Sequence, residues 1–256
     1  MLIAVGGAED REGDRVVLRA ALGAARERAG AEVAVTIVPT ASGAPHAVCR
    51  SYLRAFASLG AADVAVVGGP GGPALAERAA AERVAASGLV WLAGGDQSRL
   101  VARVSATPTL AALRACAAAG RVIAGTSAGA TALSTRMIAR GHARPPGANC
   151  VDLSEGFGLT RTFVIDQHFS QRGRFARLMT ATLVAPAAVG LGVDEDTAAF
   201  LVGDDVVRVV GSGTVTVVDA RAARCARGAG RLSARDVIVH VLVPGDRWSA
   251  APTPPR

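Results

Sequence analysis

The stretch that decides the fold is Arg121-Val122-Ile123-Ala124-Gly125-Thr126-Ser127-Ala128-Gly129. Its apolar first half predicts a buried strand, and the alanine-rich residues that follow it predict a helix. Small residues on both sides of Ser127 allow the sharp turn that exposes a serine hydroxyl at the end of a strand. The pattern is therefore interpreted as the site of a nucleophile, although a structural serine at a glycine-rich turn gives the same short pattern.

Outward from this stretch, short β-rich runs alternate with alanine-rich helical stretches. Strands are predicted at 2–5, 33–38, 64–67, 89–92 and 122–124, with helices near 15–29, 44–59, 73–86 and 107–119. This alternation predicts an α/β fold with a mainly parallel, doubly wound sheet. After residue 163, one helix near 172–184 is followed by strands at 188–193, 198–202, 206–210, 215–218 and 237–243. We expect these strands to extend the sheet in antiparallel order.

Length and composition set the expected number of domains and the expected compartment. With 256 residues, of which 50% are hydrophobic, it can bury one large core, so we expect a single domain over 1–249 and a frayed proline-rich tail over 250–256. No stretch is long and apolar enough to span a membrane, and the start does not resemble a secretory leader. These features predict a cytoplasmic protein without a membrane partner.

The basic character of the chain comes from arginine alone. The net charge is +7, yet the sequence contains no lysine and its helical arginines have no aromatic residues between them, so we expect no nucleic-acid partner. Four separated cysteines lack a C-x-x-C pair, so neither a zinc site nor a disulfide framework is indicated, and we expect buried thiols: Cys49, Cys116, Cys150 and Cys225. No metal or cofactor is predicted.

Three glycine-rich turns, at 6–10, 94–97 and 125–127, follow predicted strands and should converge on one edge of the sheet. The turn at 94–97 has two interpretations. Asp96 can cap a helix, or the backbone N–H groups of Gly95 and Asp96 can join that of Ala128 in an oxyanion hole.

His168 is the candidate base, because it follows the predicted strand 163–165 within a polar segment. His46 and His142 lie in loops, and His240 alternates with valines as a structural histidine does. The candidate acids are Asp194, Glu195 and Asp196. Along an extended chain Asp194 and Asp196 face one way and Glu195 the other, so only one side can orient the base.

Arginines close to the candidate base suggest anion binding. On a helix after Gly173, Arg174 and Arg177 share a face, and with Arg172 they could clamp a carboxylate. An exposed basic helix would give the same pattern.

Together, the motifs closely resemble the serine peptidase family that contains cyanophycinase and aspartyl dipeptidase (peptidase E). The motifs that carry the resemblance are Gly6-Gly7-Ala8-Glu9-Asp10, Gly94-Gly95-Asp96-Gln97, Gly125-Thr126-Ser127-Ala128-Gly129-Ala130, Asp166 to Arg174, and Gly192 to Ala198. The resemblance implies a fold akin to class I glutamine amidotransferases, a homodimer, and a metal-free exopeptidase. It also implies cyanophycin as the substrate, cleaved through an acyl-enzyme to β-aspartyl-arginine dipeptides.

The resemblance also assigns residues. It implies Ser127 as nucleophile, His168 as base and Glu195 as acid. The substrate-binding positions that it implies are Gln97, Asp166, Gln167, Arg172, Arg174 and Arg177. In this assignment the arginines hold substrate carboxylates, and the acid and amide groups meet the substrate amine or guanidinium.

Three alternatives stay open at the level of sequence. The substrate could be a short α- or β-aspartyl peptide rather than the polymer. An α/β-hydrolase esterase would use the order Ser127, Asp205 and His240. An inactive module that binds aspartyl or arginyl peptides would keep the arginines without turnover.

Overall fold

The computed structural model describes residues 1–141, 151–185, 188–203, 205–228 and 231–250. Its helices are α1 Val16–Ala29, α2 Pro45–Ser58, α3 Arg78–Ala86, α4 Gln97–Ser105, α5 Pro108–Ala118, α6 Ala128–Ala132 and α7 Phe175–Val184. Its strands are β1 Leu2–Val5, β2 Ala34–Val38, β3 Asp63–Val66, β4 Leu89–Leu92, β5 Val122–Thr126, β6 Arg136–Gly141, β7 Val151–Glu155, β8 Phe163–Gln167, β9 Val189–Val193, β10 Thr197–Val202, β11 Val206–Gly211, β12 Val215–Asp219, β13 Arg224–Gly228, β14 Arg231–Arg235, β15 Ile238–Leu242 and β16 Arg247–Ser249. Of the predicted features, His142, Cys150 and tail residues 251–256 lie outside the described residues.

An eight-stranded sheet forms the centre of the fold, in the order β16-β11-β10-β1-β5-β4-β2-β3. The five strands from β1 to β3 in this order are parallel, whereas β10, β11 and β16 are antiparallel. Apolar side chains of β1 alternate between two hydrophobic clusters, one beneath α1 and α2 and the other beneath α3, α4 and α5. The doubly wound α/β prediction is therefore confirmed.

A second sheet, in the order β15-β12-β9-β8, was not predicted. The expectation that all the C-terminal strands extend the main sheet is correct for β10 and β11 but wrong for β9, β12 and β15. Alternation of apolar residues identifies a strand but not its partner. One face of this sheet shares a hydrophobic cluster with the main sheet, and α7 packs on the other face.

Local signals explain the helix boundaries. Pro45 and Pro108 open α2 and α5, where the missing N–H of proline has no partner to lose. The carboxylate of Asp96 accepts the N–H of Arg99 at 2.9 Å and caps α4, a helix absent from the predicted set. The helix predicted from residue 73 begins only at Arg78.

The cysteines differ in their burial. Cys49 and Cys116 are buried, but Cys225 is exposed on β13, so the expectation of a buried thiol is wrong there. Within the described ranges, no helix is long and apolar enough to cross a membrane, and no group of three or more histidine, cysteine or acidic side chains could hold a metal ion.

A buried ion pair fastens α7 to β8. The carboxylate of Asp166, on β8, accepts hydrogen bonds from Nε of Arg177 at 2.8 Å and from its Nη2, and both residues are buried. The remaining nitrogen of Arg177 donates to the Gly141 carbonyl at 3.5 Å. Such a bidentate pair is stable only while both partners are present.

We expect Arg177→Gln to lower the free energy of unfolding by about 3 kcal/mol, because it leaves the buried Asp166 carboxylate without its bidentate partner. Arg172→Gln is the matched control: Arg172 is exposed, and its loss should change stability by less than about 0.5 kcal/mol. Urea unfolding of the two variants and the parent measures both values. Equal stabilities for the two variants would contradict a structural role for the pair.

Candidate active site

Ser127 lies on the sharp turn between β5 and α6. Its backbone has φ 52° and ψ −113°, a conformation that residues with a side chain seldom adopt. Glycines make the turn possible: a Cβ at Gly125 would lie 2.3 Å from the Gly129 carbonyl carbon, and one at Gly129 would lie 2.3 Å from the Leu92 carbonyl oxygen. The short helix α6 therefore packs directly on the strands, and the predicted strand-turn-helix arrangement is confirmed.

Ser127, His168 and Glu195 form a continuous hydrogen-bonded chain. The Ser127 Oγ lies 3.0 Å from Nε2 of His168, and Nδ1 of His168 lies 2.6 Å from Oε1 of Glu195. A carboxylate can only accept, so Nδ1 of His168 carries the proton and Nε2 accepts the serine hydroxyl hydrogen. This arrangement can take a proton from Ser127 as the hydroxyl becomes a nucleophile.

The electrostatic surroundings keep the imidazole neutral. Burial lowers the pKa of His168 below its ordinary value of 6.5, and the charges of Arg172 and Arg174 act in the same direction. Glu195 opposes them, through its hydrogen bond and its charge. At neutral pH the ring is therefore in the form that accepts a proton.

Consecutive carbonyl groups at the end of β1 position the three loops of the site. Val5 accepts the N–H of Ser127 at 2.9 Å, Gly6 that of His168 at 2.8 Å, and Gly7 that of Asp196 at 2.9 Å. A Cβ at Gly7 would lie 2.4 Å from Cε1 of His168, so only glycine allows the ring to sit there. The glycine-rich turn at 6–10 thus lies at the same edge as Ser127, as predicted.

The acidic triplet lies in a turn and not in the extended chain that the alternation assumed, because Asp196 has a φ of 49°. Its three side chains nevertheless have separate partners. Asp194 accepts the N–H of Ser170 at 2.9 Å and the hydroxyl of Thr214 at 2.7 Å, and it is buried. Asp196 accepts the N–H of Asp10 at 3.0 Å. These two side chains hold neighbouring loops together, and Glu195 alone of the three faces His168.

The turn at 94–97 lies against the nucleophile. A Cβ at Gly94 would lie 3.1 Å from the Ser127 Cβ. The N–H of Asp96 donates to the Ala41 carbonyl at 3.0 Å, so the expectation that Asp96 contributes to an oxyanion hole is wrong, and its helix-capping interpretation is right. The N–H groups of Gly95 and Ala128 make no hydrogen bond within the described residues and remain available.

The predicted substrate-binding residues fall into two groups. Asp166 and Arg177 satisfy each other in the buried pair that joins β8 to α7, which corrects the expectation that both are free to contact substrate. Arg174 is nearly buried, donates to the Gln167 carbonyl at 2.5 Å and lies 3.4 Å from Asp166. Burial lowers the pKa of Arg174 to about 10, so it stays charged at neutral pH. Arg172 is exposed, and its guanidinium is unpaired among the described residues.

Two glutamines complete the set. Nε2 of Gln97 donates to the carbonyls of Ile138 and Ala139 at 3.2 and 2.7 Å, which turns its Oε1 away from β6. Oε1 of the buried Gln167 lies 3.4 Å from the Ser127 Oγ. Both amides are therefore fixed in orientation close to the serine loop.

The residues of the alternative hydrolase order do not meet Ser127. Asp205 follows the end of β10, which pairs with Leu2 at the start of β1. Thr126 pairs with Val5 at the other end of β1, so Asp205 and Ser127 lie at opposite ends of the strands. His240 lies on β15 of the second sheet, with its ring 5.8 Å from that of Trp248. The structure brings His168 to the serine.

Sequence reasoning missed three buried residues beside the turn that carries Ser127. Glu9 accepts hydrogen bonds from the hydroxyls of Tyr52 and Thr126, and all three side chains are buried. The signal was present in the glycine-rich turn at 6–10, where an acidic residue follows two glycines, but nothing in the sequence pairs it with Tyr52.

Comparisons with known proteins identify the family of the chain. The peptidase family S51 profile matches residues 2–209. The chain is similar to cyanophycinase from Trichormus variabilis, with 36% identity over 96% of this chain and 84% of that protein. It is also similar to cyanophycinase from Geminocystis herdmanii, with 32% identity over 97% and 93%.

Solved structures show the same fold. A peptidase from an acI-B1 Actinobacterium superimposes with a TM-score of 0.71 at 20% identity, covering 97% of this chain and 96% of that one. A putative peptidase E protein from Listeria monocytogenes gives a TM-score of 0.52 at 17% identity, covering 83% and 98%. The family model covers residues 2–209, most of the chain, and on that ground the chain belongs to peptidase family S51, whose members are serine-type peptidases.

Proposed function

We propose that this protein is a serine exopeptidase that degrades cyanophycin, an aspartate backbone with arginine on its side chains, to β-aspartyl-arginine dipeptides. The observation that carries the proposal is the hydrogen-bonded chain from Ser127 through His168 to Glu195, next to arginines that can bind carboxylates. The relatives named cyanophycinase, similar over nearly the whole chain, support this substrate.

In the first step Ser127 Oγ attacks a backbone carbonyl carbon of the polymer. The hydroxyl proton moves to Nε2 of His168, and Glu195 stabilises the resulting imidazolium. The carbonyl oxygen becomes an oxyanion, for which the N–H groups of Gly95 and Ala128 are the donors. The C–N bond then breaks, His168 gives its proton to the leaving amine, and an ester to Ser127 remains.

Water completes the reaction. His168 takes a proton from the water as its oxygen attacks the ester carbonyl, and a second tetrahedral state forms. Collapse of that state releases a carboxylate and returns the proton to Ser127. Since only backbone amides are cleaved, the amide between the aspartate side chain and arginine survives, and the product is a β-linked dipeptide.

Charge determines how the substrate would be held. Each repeat of the polymer carries a carboxylate and a guanidinium. Arg172 and Arg174 supply bidentate donors for carboxylates, and Gln97 offers a free Oε1 to a substrate N–H. Asp166 and Arg177 act behind them, where their pair holds α7 and hence the arginine-bearing segment. The homodimer and the cytoplasmic location stay predictions.

We expect Ser127→Ala and His168→Ala each to lower kcat/KM by about a thousandfold or more, because each removes a group that acts in the transition state. His240→Ala is the control: this histidine is half-buried in the second sheet and should leave turnover unchanged. Peptidase assays on variants with native circular dichroism measure the effect. Loss of activity only in His240→Ala would show that the site is wrongly placed.

The pH profile tests the charges around the base. Activity requires neutral His168, so kcat/KM should rise with pH through a pKa that lies below 6.5. Arg172→Gln removes a neighbouring positive charge and should move this acid limb to higher pH. Glu195→Gln removes the anion that stabilises the imidazolium and should move it to lower pH, with a reduced plateau.

Measurement of kcat/KM against pH with one soluble peptide gives all three limbs. A limb above pH 6.5 in the parent protein, or limbs that coincide in the two variants, would contradict the arrangement of charges.

The substrate is tested by products. We expect digestion of insoluble cyanophycin to yield β-aspartyl-arginine as the main product, with little cleavage of a matched α-linked Asp-Arg peptide. Arg174→Lys should lower kcat/KM on the polymer, since an ammonium group cannot form two parallel hydrogen bonds to a carboxylate, but should leave the labelling of Ser127 by a small serine-directed reagent almost unchanged.

Chromatography of the digests against α- and β-linked Asp-Arg standards, combined with mass spectrometry, identifies the products and their linkage. Cleavage of the α-linked peptide with the polymer untouched would place the protein with the aspartyl dipeptidases instead.

A further inference from the structure

Glu9 is a buried carboxylate that the mechanism above does not use. It is 4% exposed, and its Oε2 accepts the hydroxyl of Thr126 at 2.6 Å while its Oε1 accepts the hydroxyl of Tyr52. It makes no ion pair within the described residues. A carboxylate buried among neutral donors is costly, so its presence calls for a local explanation.

Both donors to Glu9 are rigidly held. The ring of Tyr52 packs 5.5 Å from that of Trp91, and the Arg11 guanidinium lies 5.1 Å from the Tyr52 ring centroid. Burial and the adjacent Glu9 raise the pKa of Tyr52 well above its ordinary value, so its hydroxyl stays protonated and remains a donor. Thr126 is the last residue of β5 and is 2% exposed.

The position of Glu9 links the two halves of the serine–histidine pair. Thr126 precedes Ser127 directly, so a bond to its side chain holds the peptide that enters the strained turn. Two residues before Glu9 lies Gly7, where a Cβ would lie 2.4 Å from Cε1 of His168 and whose carbonyl accepts the N–H of Asp196. One carboxylate therefore ties the strand that carries the serine to the segment that positions the histidine.

The same segment is anchored beyond Glu9. The Asp10 carboxylate accepts the N–H groups of Glu12, Gly13 and Arg15, which lowers the pKa of Asp10 to about 2. The segment 6–10 is thus held by the sheet at one end and by Asp10 at the other. Among its side chains in the described part of the chain, only that of Glu9 forms a hydrogen bond to β5.

We propose that Glu9 is a positioning residue that sets the distance between Ser127 and His168 through its hydrogen bonds to Thr126 and Tyr52. The inference rests on the proposed role of Ser127 as nucleophile. It predicts that loss of either hydroxyl reduces turnover more than substrate binding, because a displaced serine still leaves the arginines in place.

The decisive variant is Thr126→Val, which removes the hydroxyl and keeps the shape. We expect kcat to fall about tenfold to a hundredfold with KM almost unchanged, and Thr126→Ser to restore most of the activity. Thr36→Val is the matched control. Thr36 is also buried in the main sheet and bonds through its hydroxyl to Ser87 at 2.7 Å, so it should lose stability without losing kcat.

Two readouts separate positioning from simple loss of folded protein. The end point of Ser127 labelling by a fluorophosphonate counts competent sites, and the labelling rate reports the reactivity of the serine. We expect Thr126→Val to have a normal end point, a slower rate and a lower kcat per labelled site. If Thr126→Val does not fold, Tyr52→Phe removes the other donor while its ring packing remains, and the same pattern is expected.

The outcomes test the positioning role of Glu9 separately from the proposed serine peptidase function. A wild-type labelling rate and wild-type kcat per site in Thr126→Val, or in Tyr52→Phe where that variant replaces it, would overturn the role of Glu9 and leave the serine mechanism standing. Activity retained by Ser127→Ala would overturn the proposed function itself. An equal fall of kcat in Thr36→Val would also overturn the positioning role, because the effect would then be general to buried hydroxyls.

Discussion

The carbonyl groups of Val5, Gly6 and Gly7 are the constraint on which the site depends. They are consecutive, and they accept the N–H groups of Ser127, His168 and Asp196 in that order. Peptide geometry limits the distance between neighbouring carbonyl groups, so the three loops bonded to them are held close to one another. The hydroxyl, the imidazole and the carboxylate are then within hydrogen-bond distance without long flexible connections.

These loops hold backbone conformations that would not persist alone. Ser127, His168 and Asp196 have φ values of 52°, 46° and 49°, and such residues each cost about 1 to 3 kcal/mol when they carry a side chain. The two sheets supply the compensation: β5 and β10 belong to the large sheet, while β8 and β9 belong to the small one. Among the described residues, Arg15 and Asp236 also have positive φ values, but Ser127, His168 and Asp196 lie together at the site where loops of the two sheets meet.

Much of this arrangement is legible in the sequence. The alternation of apolar runs and helices gave the parallel half of the large sheet, and glycines around Ser127 marked a turn that the close approach to Leu92 and Gly129 explains. The choice of Glu195 over its neighbours rested on an extended chain at 194–196, whereas the structure has a turn there in which Asp196 has a φ of 49°.

The sequence did not show which side chains, strands and backbone groups pair with one another. Asp166 and Arg177 were predicted to contact substrate, yet in the structure they form a buried ion pair with each other between β8 and α7. The four strands of the second sheet were recognisable as strands, but pairing depends on contacts distant in the chain. Asp96 shows the same limit, because its N–H is taken by Ala41, a residue in another loop.

Arg172 and Arg174 have two opposite effects on the proposed reaction: they favour binding of a carboxylate substrate, and they weaken His168 as a base. Arg172 and Arg174 attract anions, but their charges lower the pKa of His168 and so disfavour the imidazolium that forms when Ser127 gives up its proton. In the proposed mechanism, a substrate carboxylate bound between the arginines offsets their charge, and the pKa of His168 rises on binding. Binding of the substrate carboxylate and the pKa of His168 would thereby be coupled, and by linkage each would affect the other equally. In that mechanism a neutral peptide would leave the arginines uncompensated and would meet a weaker base, so selectivity for an anionic substrate would arise at the proton transfer as well as at the binding step.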